Sequence, residues 1–333
     1  MPGLAPFFIV GSSRSGSTLL RLMLASHSCI AIPAETWYLI ALLEKFPGDR
    51  LLQENEIRAA VAMMTSHYTW PDMGLAATEF RHRADNVSGV RLRDLVEMVY
   101  RWHMEVDGKK RWGDKTPAYI EIVPALAAMF DDAKFIHLIR DGRDVAKSFQ
   151  RQGWHGPWMH GYAREWLRAA ELDRKLGKTP LNERILRVRY EDLVLHPEAT
   201  LRGICAFIDE RFEGQMLRWR GKVAEAIPGR EKKIHSSLDR DMNSSDVNRW
   251  KREMTSRELF VAEALMGAEL SRFGYERRYR SKLWSPLFAA TRTYCRSVLP
   301  VIGLLRRACG FVARRLRGGA RLIRRCSSRF RVQ

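Results

Sequence analysis

The chain has 333 residues, of which 46% are hydrophobic and 29% charged, enough to bury the core of one large globular domain, alone or with appendages. Its formal net charge of +19 lies mostly at one end, since residues 281–333 hold thirteen lysines and arginines and no acidic residue, which leaves +6 for residues 1–280. The five cysteines are widely spaced and form no C-x-x-C pair, which argues against a zinc site or disulfide framework and favours a reducing compartment.

Short apolar runs alternate with longer helical patterns along residues 1–280, the predicted domain. Strands are predicted at 6–10, 109–115, 134–140 and 184–190, and helices at 17–27, 51–66, 92–106, 117–130, 142–152, 162–176 and 198–208. A capping-box pattern at Thr255 and Glu258 predicts a late helix, and the polar stretch 227–249 predicts a long loop. This order predicts an α/β fold with a P-loop-like central parallel β-sheet flanked by helices on both faces, and ligands at the carboxyl ends of the strands.

The stretch "VGSSRSGSTLLRLML", Val10 to Leu24, follows the first predicted strand. A turn rich in Gly and Ser that leads into a helix gathers backbone N–H groups at the positive end of the helix dipole, which favours an anion. Hydroxyl groups from Ser15, Ser17 and Thr18, and the charge of Arg14, would strengthen such a site. The alternative is a tight strand–helix turn with serines that face solvent.

A second motif, "FIHLIRDGRDVAKSF", places Arg140 at the end of a buried strand and Ser148 eight residues later, two turns into the next helix. This spacing lets the strand end and the helix face converge on another anionic group. Taken alone, an arginine that caps the sheet edge and a helix serine with local partners explain the same residues.

Together with "GDKTP" at 113–117, these motifs resemble the sulfotransferases that use 3′-phosphoadenosine 5′-phosphosulfate (PAPS), over roughly residues 6–275. The resemblance implies that Arg140 and Ser148 bind the 3′-phosphate of this donor. It implies that the first loop binds the phosphosulfate through Arg14, Ser15, Gly16, Ser17 and Thr18.

The first loop carries an arginine where the cytosolic small-molecule branch of that family has a lysine, and no histidine lies at the expected place before the 3′-phosphate strand. The chain is more similar to the branch that contains protein-tyrosine sulfotransferases and many bacterial enzymes. That branch implies that Glu35 in "IPAETWYL" is the general base and that Lys115 contacts the transferring group. No metal is expected, because a sulfuryl group carries less charge than a phosphoryl group. Glu35 as a helix N-terminal carboxylate and Lys115 as a surface lysine are the alternatives.

Two further regions carry weaker predictions. Ser245 and Trp250 match a region that closes over the cofactor in relatives. The loop "GWHGPWMHGY" (153–162) would line an acceptor pocket, for a sugar or another ring, through Trp154, Trp158 and Tyr162. Its two histidines do not have the spacing of a helical metal pair, and the alternative role of its aromatic residues is core packing.

The tail, residues 281–333, places arginines around apolar residues such as Trp284, Leu299 and Phe311. This basic amphipathic pattern predicts helical segments on an anionic membrane surface. Contact with nucleic acid, packing in a homo-oligomer and a solvated tail are the alternatives, and the aliphatic clusters make nucleic acid the weaker one. No signal peptide and no apolar run of roughly 18–20 residues is recognised, so a cytoplasmic protein on the inner face of a membrane is expected.

The predicted function is transfer of a sulfuryl group from PAPS to an acceptor hydroxyl, lipid- or carbohydrate-linked, with a carboxylate base. One alternative is a P-loop kinase, which the missing Gly-Lys-Ser/Thr loop and the absence of a recognisable Mg²⁺-ligand pattern disfavour. Another is a non-enzymatic membrane- or nucleic-acid-binding protein with a degenerate nucleotide fold.

Overall fold

The computed structural model describes residues 5–153, 159–222, 227–229, 245, 247–279 and 285–295. They belong to two compact units, one within Met1–Thr255 and the other within Ser256–Gln333. The predicted domain boundary between residues 280 and 281 and most of the loop predicted at 227–249 lie outside the described residues, so both stay predictions.

Five parallel strands form the centre of the first unit in the order β2-β3-β1-β4-β5. The strands are β1 (Phe7–Gly11), β2 (Ile30–Ala31), β3 (Arg111–Lys115), β4 (Lys134–Ile139) and β5 (Ile185–Arg189). The parallel sheet that the sequence predicts is therefore confirmed. The two-residue strand β2 was not predicted, because a run that short carries no periodic signal.

The helices of the first unit cover both faces of this sheet. They are α1 (Ser17–Ala25), α2 (Tyr38–Lys45), α3 (Glu54–Ser66), α4 (Ala77–Asp85), α5 (Leu92–Val106), α6 (Val123–Met129), α7 (Gly142–Gln152), α8 (Met159–Leu176), α9 (Tyr190–Leu195), α10 (Pro197–Phe207) and α11 (Trp250–Glu253). Short 3₁₀ segments lie at Trp70–Met73, Pro117–Ile122, Pro180–Arg184 and Gly214–Lys222.

The helix predicted at 117–130 is divided in the structure. A 3₁₀ segment runs over Pro117–Ile122, Ile122 leaves the helical region at ψ 14°, and α6 then begins with Pro124 in its first turn. Proline has no N–H to donate to the preceding turn, so a helix restarts at such a residue more easily than it continues through it. Sequence periodicity alone does not separate these two arrangements.

Alternate side chains of the strands pack into two separate hydrophobic clusters, one on each face of the sheet. Phe8 of β1 packs with residues of α3, α5 and α6, whereas its neighbours Phe7 and Ile9 pack with residues of α1 and α10. The register pairs Phe8 with Asp114 and Ile9 with Lys115. Because paired residues of a sheet share a face, Asp114 and Lys115 point to opposite faces at the carboxyl end of β3.

The second unit contains α12 (Ser256–Arg272) and α13 (Ser285–Thr293). Phe260 packs against Phe288 with ring centroids 5.0 Å apart. The fully buried carboxylate of Glu263 accepts the backbone N–H groups of Arg278 and Tyr279, each at 2.9 Å. These contacts fasten the chain that follows α12 back onto that helix.

Two sequence expectations concern disulfides and membrane-spanning helices. None of the three described cysteines, Cys29, Cys205 and Cys295, takes part in a disulfide. Among the helices that the structure describes, none has the length and apolar character needed to cross a membrane.

Candidate active site

The loop between β1 and α1 makes a sharp turn at the carboxyl end of the sheet. Arg14 and Gly16 adopt left-handed backbone conformations, with φ 67° and 94°. A Cβ atom at Gly16 would lie 2.4 Å from the ring of Tyr190, so only glycine fits there. Among the described residues, no side chain caps the start of α1, and its first turn has no acidic residue, so the positive end of the helix dipole faces this loop.

The hydroxyl groups of this loop are turned inward. Ser15 is only 1% exposed, and its Oγ has no hydrogen-bond partner in the described structure. Ser17 and Thr18 are also buried. A buried hydroxyl without a partner is costly, so Ser15 marks a position where an oxygen of a bound anion could accept its hydrogen bond.

The second motif lies directly against the loop. The Nε–H group of Arg14 donates to Ser148 Oγ on α7 at 3.1 Å, and Arg140 Nη1 donates to the backbone oxygen of Arg14 at 3.4 Å. The Arg140 guanidinium stacks on the Tyr190 ring, 4.2 Å from its centroid. The two motifs that the sequence predicts as anion sites, 134 residues apart for Arg14 and Ser148, are thus joined in space.

Positive charge accumulates at this junction. Burial, which is the largest cause, and the nearby charges of Arg140 and Arg151 together lower the pKa of Arg14 to about 10. Glu35 opposes this shift. Guanidinium groups held this close together favour a ligand that carries more than one negative charge.

Glu35 and Lys115 form an ion pair beside the loop. Lys115 is only 1% exposed, and its ammonium group donates to Glu35 Oε1 at 2.5 Å and to Thr18 Oγ1 at 3.3 Å. The other oxygen of Glu35, Oε2, accepts the indole N–H of Trp37 at 2.8 Å. Lys115 is therefore not a surface lysine, and it connects the predicted base to the first turn of α1.

A family model with the description "Sulfotransferase family" matches residues 6–214, which include both anion motifs and the Glu35–Lys115 pair. This chain belongs to the sulfotransferase family.

Two relatives share about a quarter of the aligned residues with this family member. The nodulation protein NoeE of Sinorhizobium fredii is 26% identical over 298 residues, which cover 81% of this chain and 65% of NoeE. The protein-tyrosine sulfotransferase of Drosophila melanogaster is 24% identical over 220 residues, which cover 63% of this chain and 39% of that protein. The chain thus spans less than two thirds of the length of either relative.

Two solved structures share the fold of this sulfotransferase family member. The sulfotransferase domain from the Synechococcus PCC 7002 olefin synthase has a TM-score of 0.57 at 23% identity, covering 83% of this chain and 97% of that one. The sulfotransferase domain from the curacin biosynthetic pathway has a TM-score of 0.55 at 22% identity, with 83% and 99% covered. At these identities the likeness concerns the fold.

Trp250 and Ser245, which carry a weaker sequence prediction, differ in their surroundings. Trp250 begins α11, its backbone N–H donates to Asp144 Oδ1 at 2.7 Å, and its ring carries the Arg143 guanidinium 3.6 Å from the centroid. The indole Nε1 of Trp250 is buried without a partner in the described structure. Ser245 is exposed, and its backbone oxygen accepts from Arg252 at 2.7 Å. The cofactor role of Ser245 and Trp250 stays a prediction.

Of the aromatic residues predicted to line an acceptor pocket, Trp154 and Trp158 lie outside the described residues. Tyr162 is described and is buried on α8. The same helix contacts both anion motifs: Glu165 Oε1 accepts the N–H of Ser13 at 3.0 Å, and the Trp166 indole donates to the backbone oxygen of Arg140 at 2.9 Å. Sequence reasoning missed this role of α8, because nothing in its local pattern indicates which loop it meets.

Sequence reasoning also missed three buried residues next to the ion pair, Thr36, Tyr100 and Asp114. Two of them have a local signal, since Thr36 follows Glu35 and Asp114 precedes Lys115 in the motifs already quoted. Tyr100 has none. No group of three or more His, Cys, Asp or Glu side chains is arranged to hold a metal in the part of the chain that the structure describes.

Proposed function

We propose that this chain transfers the sulfuryl group of PAPS to a hydroxyl group of an acceptor. The observation that carries the proposal is the junction of the two anion motifs, where Arg14 binds Ser148 and Arg140 binds the backbone of Arg14. A nucleotide with anionic groups on both its 5′ and its 3′ positions needs two such sites close together. Membership of the sulfotransferase family supports this donor.

The residues present fit such a donor. On the 5′ side, Ser15 has a buried hydroxyl that lacks a partner, and the N-terminus of α1 is not capped by a side chain. On the 3′ side, Arg140 and Ser148 supply a guanidinium and a hydroxyl. The buried, unpaired indole N–H of Trp250 would serve the nucleoside part. The loop residues that would hold the phosphosulfate are Arg14, Ser15, Gly16, Ser17 and Thr18.

The donor supplies an activated sulfuryl group, and the protein supplies a base and fixed cations. Glu35 accepts the proton of the acceptor hydroxyl while the oxygen of that hydroxyl forms a bond to sulfur. At the same time the bond between sulfur and the oxygen of the 5′-phosphate breaks. A carboxylate has lone pairs for this task even while it binds Lys115 and Trp37. The ammonium of Lys115 uses two of its three N–H donors on Glu35 and Thr18, which leaves one for the transferring group.

Substitution of the proposed base tests this mechanism. In Glu35→Gln the side chain keeps its shape but cannot accept a proton, so transfer from ³⁵S-labelled PAPS should fall by about 10²–10⁴-fold. Stabilisation by adenosine 3′,5′-bisphosphate in a thermal melt should stay as in the wild type. The acceptors offered are tyrosine peptides, carbohydrates and lipid extracts, and the exposed carboxylate variant Glu54→Gln is the matched control. Normal turnover in Glu35→Gln would remove it as the base.

The acceptor is proposed to carry a ring or a lipid-linked sugar. Support comes from the aromatic composition of the loop 153–162, where Trp154, Trp158 and Tyr162 would line its pocket. The tail, residues 281–333, is proposed to hold the protein on the inner, anionic face of a membrane, where such an acceptor would be presented. Its support is the count of thirteen basic residues and no acidic one.

A further inference from the structure

A cluster of buried hydroxyl groups surrounds one carboxylate beside the ion pair. Asp114 is completely buried, and its Oδ2 accepts hydrogen bonds from the hydroxyl of Tyr100 at 2.8 Å and from that of Thr36 at 2.9 Å. The hydroxyl of Tyr119 lies 2.7 Å from Thr36 Oγ1 and accepts the backbone N–H of Leu39 at 3.2 Å. All these side chains are buried.

The proton count of this cluster fits an ionised Asp114. Each hydroxyl has one proton to donate: Tyr100 and Thr36 give theirs to the carboxylate, and Tyr119 gives its own to Thr36 Oγ1. No proton on the carboxyl is needed for these three hydrogen bonds, and the second oxygen of Asp114, Oδ1, is buried without a partner in the described structure. A buried carboxylate is nevertheless expensive to maintain, and a sheet end could be packed more cheaply with apolar residues.

The position of this cluster explains what it holds. Asp114 and Lys115 are neighbours in β3 and point to opposite faces of the sheet, while Glu35 and Thr36 are neighbours in the turn before α2. On one face Asp114 binds Thr36, and on the other face Lys115 binds Glu35. Two consecutive residues at the carboxyl end of β3 thus fix two consecutive residues of the turn before α2.

Thr36 is fixed at its backbone as well. Its N–H donates to Thr116 Oγ1 at 3.1 Å, and its carbonyl oxygen accepts the hydroxyl of Thr69 at 2.6 Å. Every polar atom of this buried residue therefore has a partner. The next residue, Trp37, has a left-handed φ of 59° and directs its indole N–H to Glu35. Such a strained conformation persists only where the surroundings determine it fully.

We infer that Asp114 and Thr36 are positioning residues, which hold the Glu35–Lys115 pair in the geometry needed for proton removal and charge stabilisation. The inference rests on the proposed function, because it takes the roles of Glu35 and Lys115 from there. The described hydrogen bonds of these two side chains do not reach Arg14, Arg140 or Ser148. The two residues therefore govern the rate of transfer and leave nucleotide binding unchanged.

The charge of Asp114 gives this inference a pH signature. The titratable groups that face Asp114 are Tyr38 from α2, Tyr100 from α5, Tyr119 from the 3₁₀ segment Pro117–Ile122 and Lys115 of β3. Burial raises the pKa of the three tyrosines above their usual range, and it raises the pKa of Asp114 to about 6. Protonation of Asp114 in mildly acidic solution would then weaken the hold on Thr36 and slow transfer.

The test compares Thr36→Val with Thr36→Ser in the full-length chain, together with Asp114→Asn. Valine keeps the shape of threonine without its hydroxyl, so kcat should fall by about a hundredfold, the cost of an ångström-scale misplacement. Serine keeps the hydroxyl and should restore kcat to within a few-fold of the wild type. The KM for PAPS and the Kd for adenosine 3′,5′-bisphosphate should stay within twofold in all three variants.

The pH profile of kcat supplies a readout that a merely structural role would not change. In the wild type, kcat should fall as the pH drops below about 6, where Asp114 takes up a proton. In Asp114→Asn this step near pH 6 should be absent.

Wild-type kcat in Thr36→Val, with intact nucleotide binding, would overturn this inference and leave the proposed function standing. A loss of nucleotide binding in Thr36→Val as large as the loss of kcat would overturn it too, since the residue would then be structural. A wild-type chain that neither binds the bisphosphate nor consumes PAPS would contradict the proposed function itself, and this inference with it.

Discussion

Single side chains in this protein carry charge at places where burial makes charge expensive. Arg14, Lys115 and Asp114 are all largely or fully buried, and each contacts another polar group of the candidate site. Such residues reduce the stability of the folded state, and function is the usual reason for their presence. Their contribution can be measured through pH, because a shifted pKa is also a statement about the free energy of unfolding.

Asp114 provides the sharpest measurement of this kind. Burial raises its pKa from 3.8 to about 6, so the folded chain holds this proton to a higher pH than the unfolded chain does. As the pH rises from about 4 to about 6, the free energy of unfolding of the wild type should therefore fall by roughly 3 kcal/mol relative to that of Asp114→Asn. Above pH 6 the difference between the two proteins should stay constant. Urea unfolding at pH 4 and pH 7 measures the difference, and an equal gap between the two proteins at both pH values would refute the shift.

At the scale of secondary-structure elements, the turn between β1 and α1 depends on the absence of a side chain at Gly16. In Gly16→Ala the new methyl group would meet the Tyr190 ring in addition to the strain of φ 94°. We expect overpacking to cost about 1–3 kcal/mol and to weaken binding of adenosine 3′,5′-bisphosphate. Gly74→Ala is the control, because Gly74 also has a positive φ, 68°, but has open space around it. Equal melting temperatures and nucleotide affinities in the two variants would show that the contact with Tyr190 does not matter.

The elements that sequence patterns predicted best are those with an unbroken apolar run or a long helical period. Strands β1, β3, β4 and β5 and helices such as α5 and α7 lie close to their predicted ranges. The two-residue strand β2 and the division of 117–130 at Pro124 were missed, because tertiary contacts and a local backbone break decide them. The ion pair between Glu35 and Lys115 was also missed as a pair, although both residues were named, since 80 residues separate them in the chain.

At the scale of the whole molecule, the charge distribution predicts where the protein acts. Replacing Arg314, Arg315 and Arg317 with glutamine in the full-length chain removes three tail charges, each worth about 1 kcal/mol at an anionic surface. Binding to phosphatidylglycerol vesicles should weaken by about a hundredfold, as measured by co-sedimentation. The control removes three exposed charges of the first unit, Arg58, Arg168 and Arg202, and should bind as the wild type does.

An equal loss of vesicle binding in the two triple variants would show that net charge alone governs adsorption. A loss of RNA or DNA binding in the tail variant, without any change on vesicles, would favour the nucleic-acid alternative. The sequence supplies this prediction without help from the fold, because Arg314, Arg315 and Arg317 lie outside the described residues.

Calorimetry with adenosine 3′,5′-bisphosphate, without Mg²⁺, tests the central claim that two joined anion sites bind one nucleotide through its 5′ and 3′ anionic groups. The wild type should bind the bisphosphate at least about tenfold more tightly than adenosine 5′-monophosphate, since a hydrogen bond to a charged group contributes about 1.5–3 kcal/mol. In Arg140→Ala this preference should disappear while the affinity for the monophosphate is kept. A preference for ATP with Mg²⁺, or an unchanged preference for the bisphosphate in Arg140→Ala, would contradict the account.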